Sequence, residues 1–111
     1  MKVEISQSTT LTITGVDGLD PVTVFIQHFG ENRYKVVVEC YGSAWSAFFG
    51  NIGAVSIERF IATCGGAPDY LVNALMRGVP QHRMTIQGRA AHKAWLTQIV
   101  TAIRAVLKDA E

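Results

Sequence analysis

The feature that most constrains this chain is an alternation of apolar and polar side chains that persists through two short turns between residues 22 and 49. Successive side chains on an extended strand point to opposite faces, so alternation marks a strand with one buried face. Val22, Val24 and Ile26 alternate with Thr23, Phe25 and Gln27 in a strand reaching Phe29. Gly30-Glu31-Asn32 then makes a three-residue hairpin into a strand from about Arg33 to Tyr41, and Gly42-Ser43 a two-residue hairpin into about Ala44 to Phe49. Loop length sets register, and register can be tested against hydrophobicity. The first loop pairs Phe29 with Arg33, which sets Val22, Val24 and Ile26 opposite Cys40, Val38 and Val36. The second pairs Tyr41 with Ala44 and sets Cys40, Val38 and Val36 opposite Trp45, Ala47 and Phe49. One face is then apolar across three strands.

Upstream, Val3 with Ile5 and Leu11 with Ile13 read as two further short strands, followed by turn residues from Gly15 to Pro21. Downstream the period changes to that of a helix. Ser56 caps a short helix carrying Ile57, Phe60, Ile61 and Cys64, which ends at Gly65-Gly66. Pro68 opens a second helix with Leu71, Ala74 and Leu75 inward, terminated by Gly78. A longer third helix, about Gln87 to Lys108, presents Trp95, Ile99, Ala102, Ile103 and Val106, with Leu96, Val100 and Leu107 widening its apolar stripe. The fold class is therefore α+β: an antiparallel β-meander of about five strands (about residues 2 to 50) followed by three helices (about 56 to 108) packed on one sheet face. At 111 residues the chain makes one domain, residues 1 to 111.

No apolar run approaches the length of a membrane span, and the first residues do not form a secretion signal, so the chain reads as cytoplasmic. Cys40 and Cys64 lack metal-ligand spacing and read as free thiols on core faces. Catalysis has little support. His28, His82 and His92 occur singly, Gly50-Asn51-Ile52-Gly53 is too short for a phosphate cradle, and no nucleotide, hydrolase or zinc motif is present. The expectation is a non-enzyme with no catalytic residue, no metal and no cofactor.

Binding is better supported. Apolar residues make up 49% of the chain and charged ones only 17%, a thinly charged surface with apolar side chains to spare for an interface. The predicted register places Phe25, Val37 and Phe48 in one row on the face opposite the helices, bordered by Thr23, Glu39 and Ser46 on one side and Gln27 and Lys35 on the other. Phe25, Val37, Phe48 and Lys35 are the candidate protein-binding residues. Charge is also uneven: residues 1 to 69 hold seven acids and four bases, whereas residues 70 to 108 hold no acid and six bases. Within that basic stretch Arg83, Arg89, His92 and Lys93 gather near the start of the last helix, as candidate contacts for nucleic acid or an acidic partner.

The segments ECYGSAWSAFFGNIG, SIERFIATC and DYLVNALM resemble a group of small proteins encoded by tailed phages and prophages of enteric bacteria. The resemblance spans about residues 20 to 76 and rests on the Glu39-Cys40-Tyr41-Gly42 turn, Trp45, Gly50 and the Tyr70-Leu71 pair; the basic C-terminal segment is less typical. It implies a phage accessory protein that acts by binding. The leading expectation is an interaction protein that modulates a host protein such as a defence or replication component. The alternative is a nucleic-acid-binding accessory protein acting through the basic segment, and a third reading is a homodimer that buries the aromatic row itself.

Overall fold

Four antiparallel strands form a simple meander, and three α-helices cover one of its faces, in the computed structural model, which describes residues 1–30, 32–53, 55–65 and 68–109. The strands are β1 (Thr9–Ile13), β2 (Val22–His28), β3 (Arg33–Cys40) and β4 (Ser43–Gly50), hydrogen-bonded in the order β1-β2-β3-β4. The helices are α1 (Ile57–Thr63), α2 (Asp69–Met76) and α3 (Ile86–Asp109), with a single 3-10 turn at Gln81–Arg83 before the last. Among the described residues no helix is long and apolar enough to cross a membrane.

The β2/β3 register is the expected one. Val22, Val24 and Ile26 face Cys40, Val38 and Val36, and the Phe29 N–H donates to the Arg33 carbonyl at 3.0 Å across the three-residue loop, of which Glu31 lies outside the described residues. The β3/β4 register is two residues from the expected one. The turn is Tyr41-Gly42 and not Gly42-Ser43, so Cys40 faces Ser43, Val38 faces Trp45 and Val36 faces Ala47. Gly42 suits either the first place of a II′ turn or the second of a I′ turn. The chain takes the latter, with φ of 49° at Tyr41 and 81° at Gly42, and the Glu39 carboxylate accepts the Gly42 N–H at 3.1 Å. A shift of two residues leaves every side chain on its predicted face, because the strand period is two.

The first of the five expected strands does not form, so the sheet has four. Val3 and Ile5 are exposed, Ile5 at 97%. The cause is the length of the neighbour. Continuing the Thr9-to-Ile26 register backward sets Ser6 opposite Phe29 and Ile5 opposite Gly30, where the chain has already left β2 and turned. An extended segment with no strand beside it has nothing to bond its main chain.

The buried face of the sheet, Val22, Val24, Ile26, Val36, Val38, Trp45 and Phe49 among it, packs on Ile57 and Ile61 of α1, Leu71 and Leu75 of α2, and Leu96, Ile99, Val100 and Ile103 of α3. The long helix lies against the sheet, α1 and α2, which accounts for its broad apolar stripe; Val106, expected inward, is exposed. Ser56 caps α1 as expected, its hydroxyl accepting the Arg59 N–H at 3.1 Å. Pro68 precedes α2, and Gly65, at φ 70°, follows α1, while Gly66 lies outside the described residues. Thr85 caps α3 in the same way as Ser56, accepting the Gly88 N–H at 2.9 Å. Replacing Ser56 by alanine is expected to lower the unfolding free energy by about 1 kcal/mol, read from a urea titration, because one N–H of a short helix loses its acceptor.

Candidate interaction surfaces

The face of the sheet away from the helices carries Thr23, Phe25 and Gln27 of β2, Lys35, Val37 and Glu39 of β3, and Ser46 and Phe48 of β4. All four expected protein-binding residues sit on it. Phe25 is 39% and Phe48 59% exposed, Lys35 is exposed, and Val37 is half-buried. The single straight row is corrected by the register. Ser46, not Phe48, stands opposite Val37, and Phe48 stands opposite Lys35. Phe48 therefore shifts one rung toward the β2/β3 loop, where its ring lies 6.0 Å from that of Phe29. The apolar patch is a diagonal, Phe25 to Val37 to Phe48 to Phe29, with Lys35 on the same face between Gln27 and Phe48.

Phe29, 43% exposed, belongs to this patch and was not among the expected residues. Its signal was its parity, since it continues the Phe25 and Gln27 side of β2. The arm before β1 borders the same face, where Ser6 and Ser8 close a groove of about 230 Å³ with Phe25, Gln27, Lys35 and Val37.

The basic residues are divided by the structure. Arg83 is exposed in the 3-10 turn, and Arg89 and Lys93 are exposed on one side of the first turns of α3, one helical turn apart. His92 is turned the other way. Its Nε2 accepts the indole N–H of Trp45 at 2.8 Å, which needs a lone pair on Nε2 and so places the ring proton on Nδ1. Its ring also lies against Trp45 and Trp95. His92 thus fastens α3 to β4 and does not stand with the exposed cations.

Arg104 departs further from the reading of the basic stretch as a charged surface. It is only 5% exposed, and its guanidinium donates to the Cys64 carbonyl, at the C-terminal end of α1, at 2.9 Å.

Cys40 is buried and Cys64 partly so, and both are free thiols. Burial pushes the Cys40 thiol up, with the Asp20 and Glu39 carboxylates adding to the effect. Burial also raises Cys64, against the lowering pull of the Arg104 guanidinium. A thiol held in its protonated form is a weak nucleophile. Among the described residues no group of three or more histidine, cysteine or acidic side chains is placed to hold a metal ion.

A second groove, about 300 Å³, runs beside β4, where Trp45 and Ser46 face the segment Gly78, Val79 and Pro80 together with Met84. Among the described residues the surface thus brings together exposed aromatic rings and exposed positive charge.

No curated protein and no solved structure matches the chain. A family model does match it, over residues 1–89, covering the whole sheet, α1, α2 and the first residues of α3 and leaving the rest of α3 outside. That span takes in the segments that carry the phage resemblance, and the chain belongs to the phage family Phage_phiTE_072.

Proposed function

We propose that this phage protein acts by binding a protein of the infected bacterium through its open sheet face, and so modulates that protein. The observation that supports this reading is the exposed diagonal of Phe25, Val37, Phe48 and Phe29 around Lys35, on a face that no helix covers. Aromatic side chains held on a rigid sheet lose little entropy on binding and bury much apolar area, which is the make-up of an interface hot spot. Lys35 forms no ion pair among the described residues, and it would favour an apolar partner surface with an acidic group at its centre. A host defence or replication component is the class of partner a phage accessory protein would take.

The double change Phe25→Ser with Phe48→Ser tests the reading. Both side chains lie outside the core, so the fold is expected to survive with unchanged far-ultraviolet dichroism. A bacterial protein retained stoichiometrically by the tagged wild type after nuclease treatment is expected to be lost, its affinity falling about a hundredfold or more. Retention of that protein by the double variant would overturn the reading. So would a wild-type dimer that the double change converts to monomer, since the face would then be a self-interface.

The acid-free stretch from 70 to 108, with Arg83, Arg89 and Lys93 exposed, supports nucleic-acid binding as the second reading. It predicts binding to an oligonucleotide whose log affinity falls with log salt at a slope of roughly −2 to −3, as three phosphate contacts would give. Measurement by fluorescence anisotropy at several salt concentrations checks it, and an absence of salt dependence would exclude this mode.

A further inference from the structure

β4 is an edge strand, and its main chain has bonding capacity that the fold does not use. Cys40 and Ser43 flank a two-residue turn and so exchange both ladder bonds; Val38 with Trp45, Val36 with Ala47 and Tyr34 with Phe49 repeat this at every second rung. The N–H and C=O groups of the residues between, Ala44, Ser46 and Phe48, therefore point away from β3 to the open edge. No loop or side chain among the described residues bonds them. Folded proteins usually protect such an edge by keeping it short or by placing lysine or proline on it. β4 runs for eight residues, Ser43–Gly50, with no charged residue and no proline.

The edge also has a shaped neighbour. Val79, Pro80 and Met84 stand beside Ser43 to Ser46 across the groove of about 300 Å³, wide enough for a side chain of an added strand. No acidic residue lines it. Arg77 and Arg83, the chain neighbours of the lining residues Gly78 and Met84, are exposed, as is His82.

We propose that the open edge of β4 takes an extended acidic segment of a partner protein as a fifth strand, with an apolar side chain in the groove beside Val79, Pro80 and Met84 and carboxylates against Arg77 and Arg83. Main-chain bonds to Ala44, Ser46 and Phe48 supply the pairing, and the groove and the basic rim supply the choice of sequence. The rim selects the occupant. Two copies of this chain meeting edge to edge would bring two basic rims together, whereas an acidic strand meets opposite charge. The inference rests on the protein-binding reading but uses the outward main chain of β4 and the groove beside it in place of the open-face side chains, so the two can fail separately.

The test is selection from a displayed library of random peptides against the intact chain, followed by hydrogen exchange with a synthetic copy of the enriched sequence. Enrichment of acidic sequences rich in valine, isoleucine and threonine is expected. At a hundred times its dissociation constant the peptide should slow exchange at the amides of Ala44, Ser46 and Phe48 by roughly a hundredfold. Ser46→Pro removes an outward N–H without touching a bond to β3, and should abolish this protection. Should that variant fold poorly, Arg77→Glu with Arg83→Glu, both at exposed sites, should weaken the peptide at least about tenfold. Phe25→Ser should leave it bound, which separates this site from the open sheet face. The proposal is overturned if no peptide is enriched, if enriched peptides carry no acidic bias, or if they protect Phe25, Lys35 and Val37 instead. A wild-type dimer whose Ala44, Ser46 and Phe48 amides are already slow would also overturn it, because a second copy would then hold the edge.

Discussion

Replacing Trp45 by alanine is expected to lower the unfolding free energy by about 3–5 kcal/mol, a large part of the roughly 5–15 kcal/mol a domain commonly has. Trp45 is 3% exposed and stands opposite Val38 on the sheet's buried face. Its ring meets Trp95 edge-on at 5.1 Å and His92 at 5.5 Å, so the substitution opens a cavity between β4 and α3 and removes aromatic contacts at once. It also leaves the Nε2 of His92 without its donor. Trp45→Phe keeps one six-membered aromatic ring and loses the N–H with the rest of the indole, for which a smaller loss of about 1–3 kcal/mol is expected. Urea titrations of the two variants check both figures, with Trp95 still present as a fluorescent reporter. A loss under about 1.5 kcal/mol for the alanine variant would mean that α3 does not depend on this contact, and that the chain beyond the family-matched segment docks by other means.

Dependence on Trp45 bears on what the sequence can tell. Its burial was legible, since it occupies an alternating position that faces an apolar residue in either register, Cys40 in the expected one and Val38 in the observed one. Its hydrogen bond to His92 was not, because the two are forty-seven residues apart and only the docking of α3 brings them together. For the same reason His92 reads in sequence as one of a basic group and stands in the structure as part of the α3 attachment.

The sheet was legible face by face but not rung by rung. Two turn types accommodate Gly42 and differ by two residues, a shift that hydrophobic alternation cannot detect because it exchanges no faces. The consequence falls on the open face, where Phe48 moves from Val37 to Lys35 and joins Phe29. The missing first strand has a different cause. Val3 and Ile5 alternate as a strand should, but a strand requires a neighbour, and the length of β2 is fixed by a turn far from them in sequence. Local pattern carries the propensity to extend and leaves the pairing to the rest of the chain. The unprotected edge of β4 follows from the same gap in information. The absence of charge from Ser43 to Gly50 is plain in sequence, whereas its position at an edge depends on the strand order.

Arg104→Met is expected to cost about 2–4 kcal/mol, although the sequence places Arg104 in a stretch of ordinary helix charge. Arg104 is 5% exposed, and its guanidinium donates to the carbonyl of Cys64, the residue that caps the C-terminal end of α1, where a helix leaves C=O groups unpaired and partial negative charge collects. A hydrogen bond from a charged donor contributes about 1.5–3 kcal/mol, and the interaction with a helix terminus about a further 0.3–1 kcal/mol. Methionine matches the stem of arginine in bulk, so the change removes the charge and the donor with little loss of packing. Arg104→Lys keeps the charge without the planar donor geometry and should recover part of the loss. Salt distinguishes this account from a surface effect. Exposed charges are screened within about 10 Å at 0.1 M salt, whereas a buried contact is screened far less. The difference in stability between wild type and Arg104→Met should therefore stay nearly constant from low to high salt in urea titrations. If it shrinks with added salt, the guanidinium acts from the surface and α1 is held to α3 by apolar contact alone.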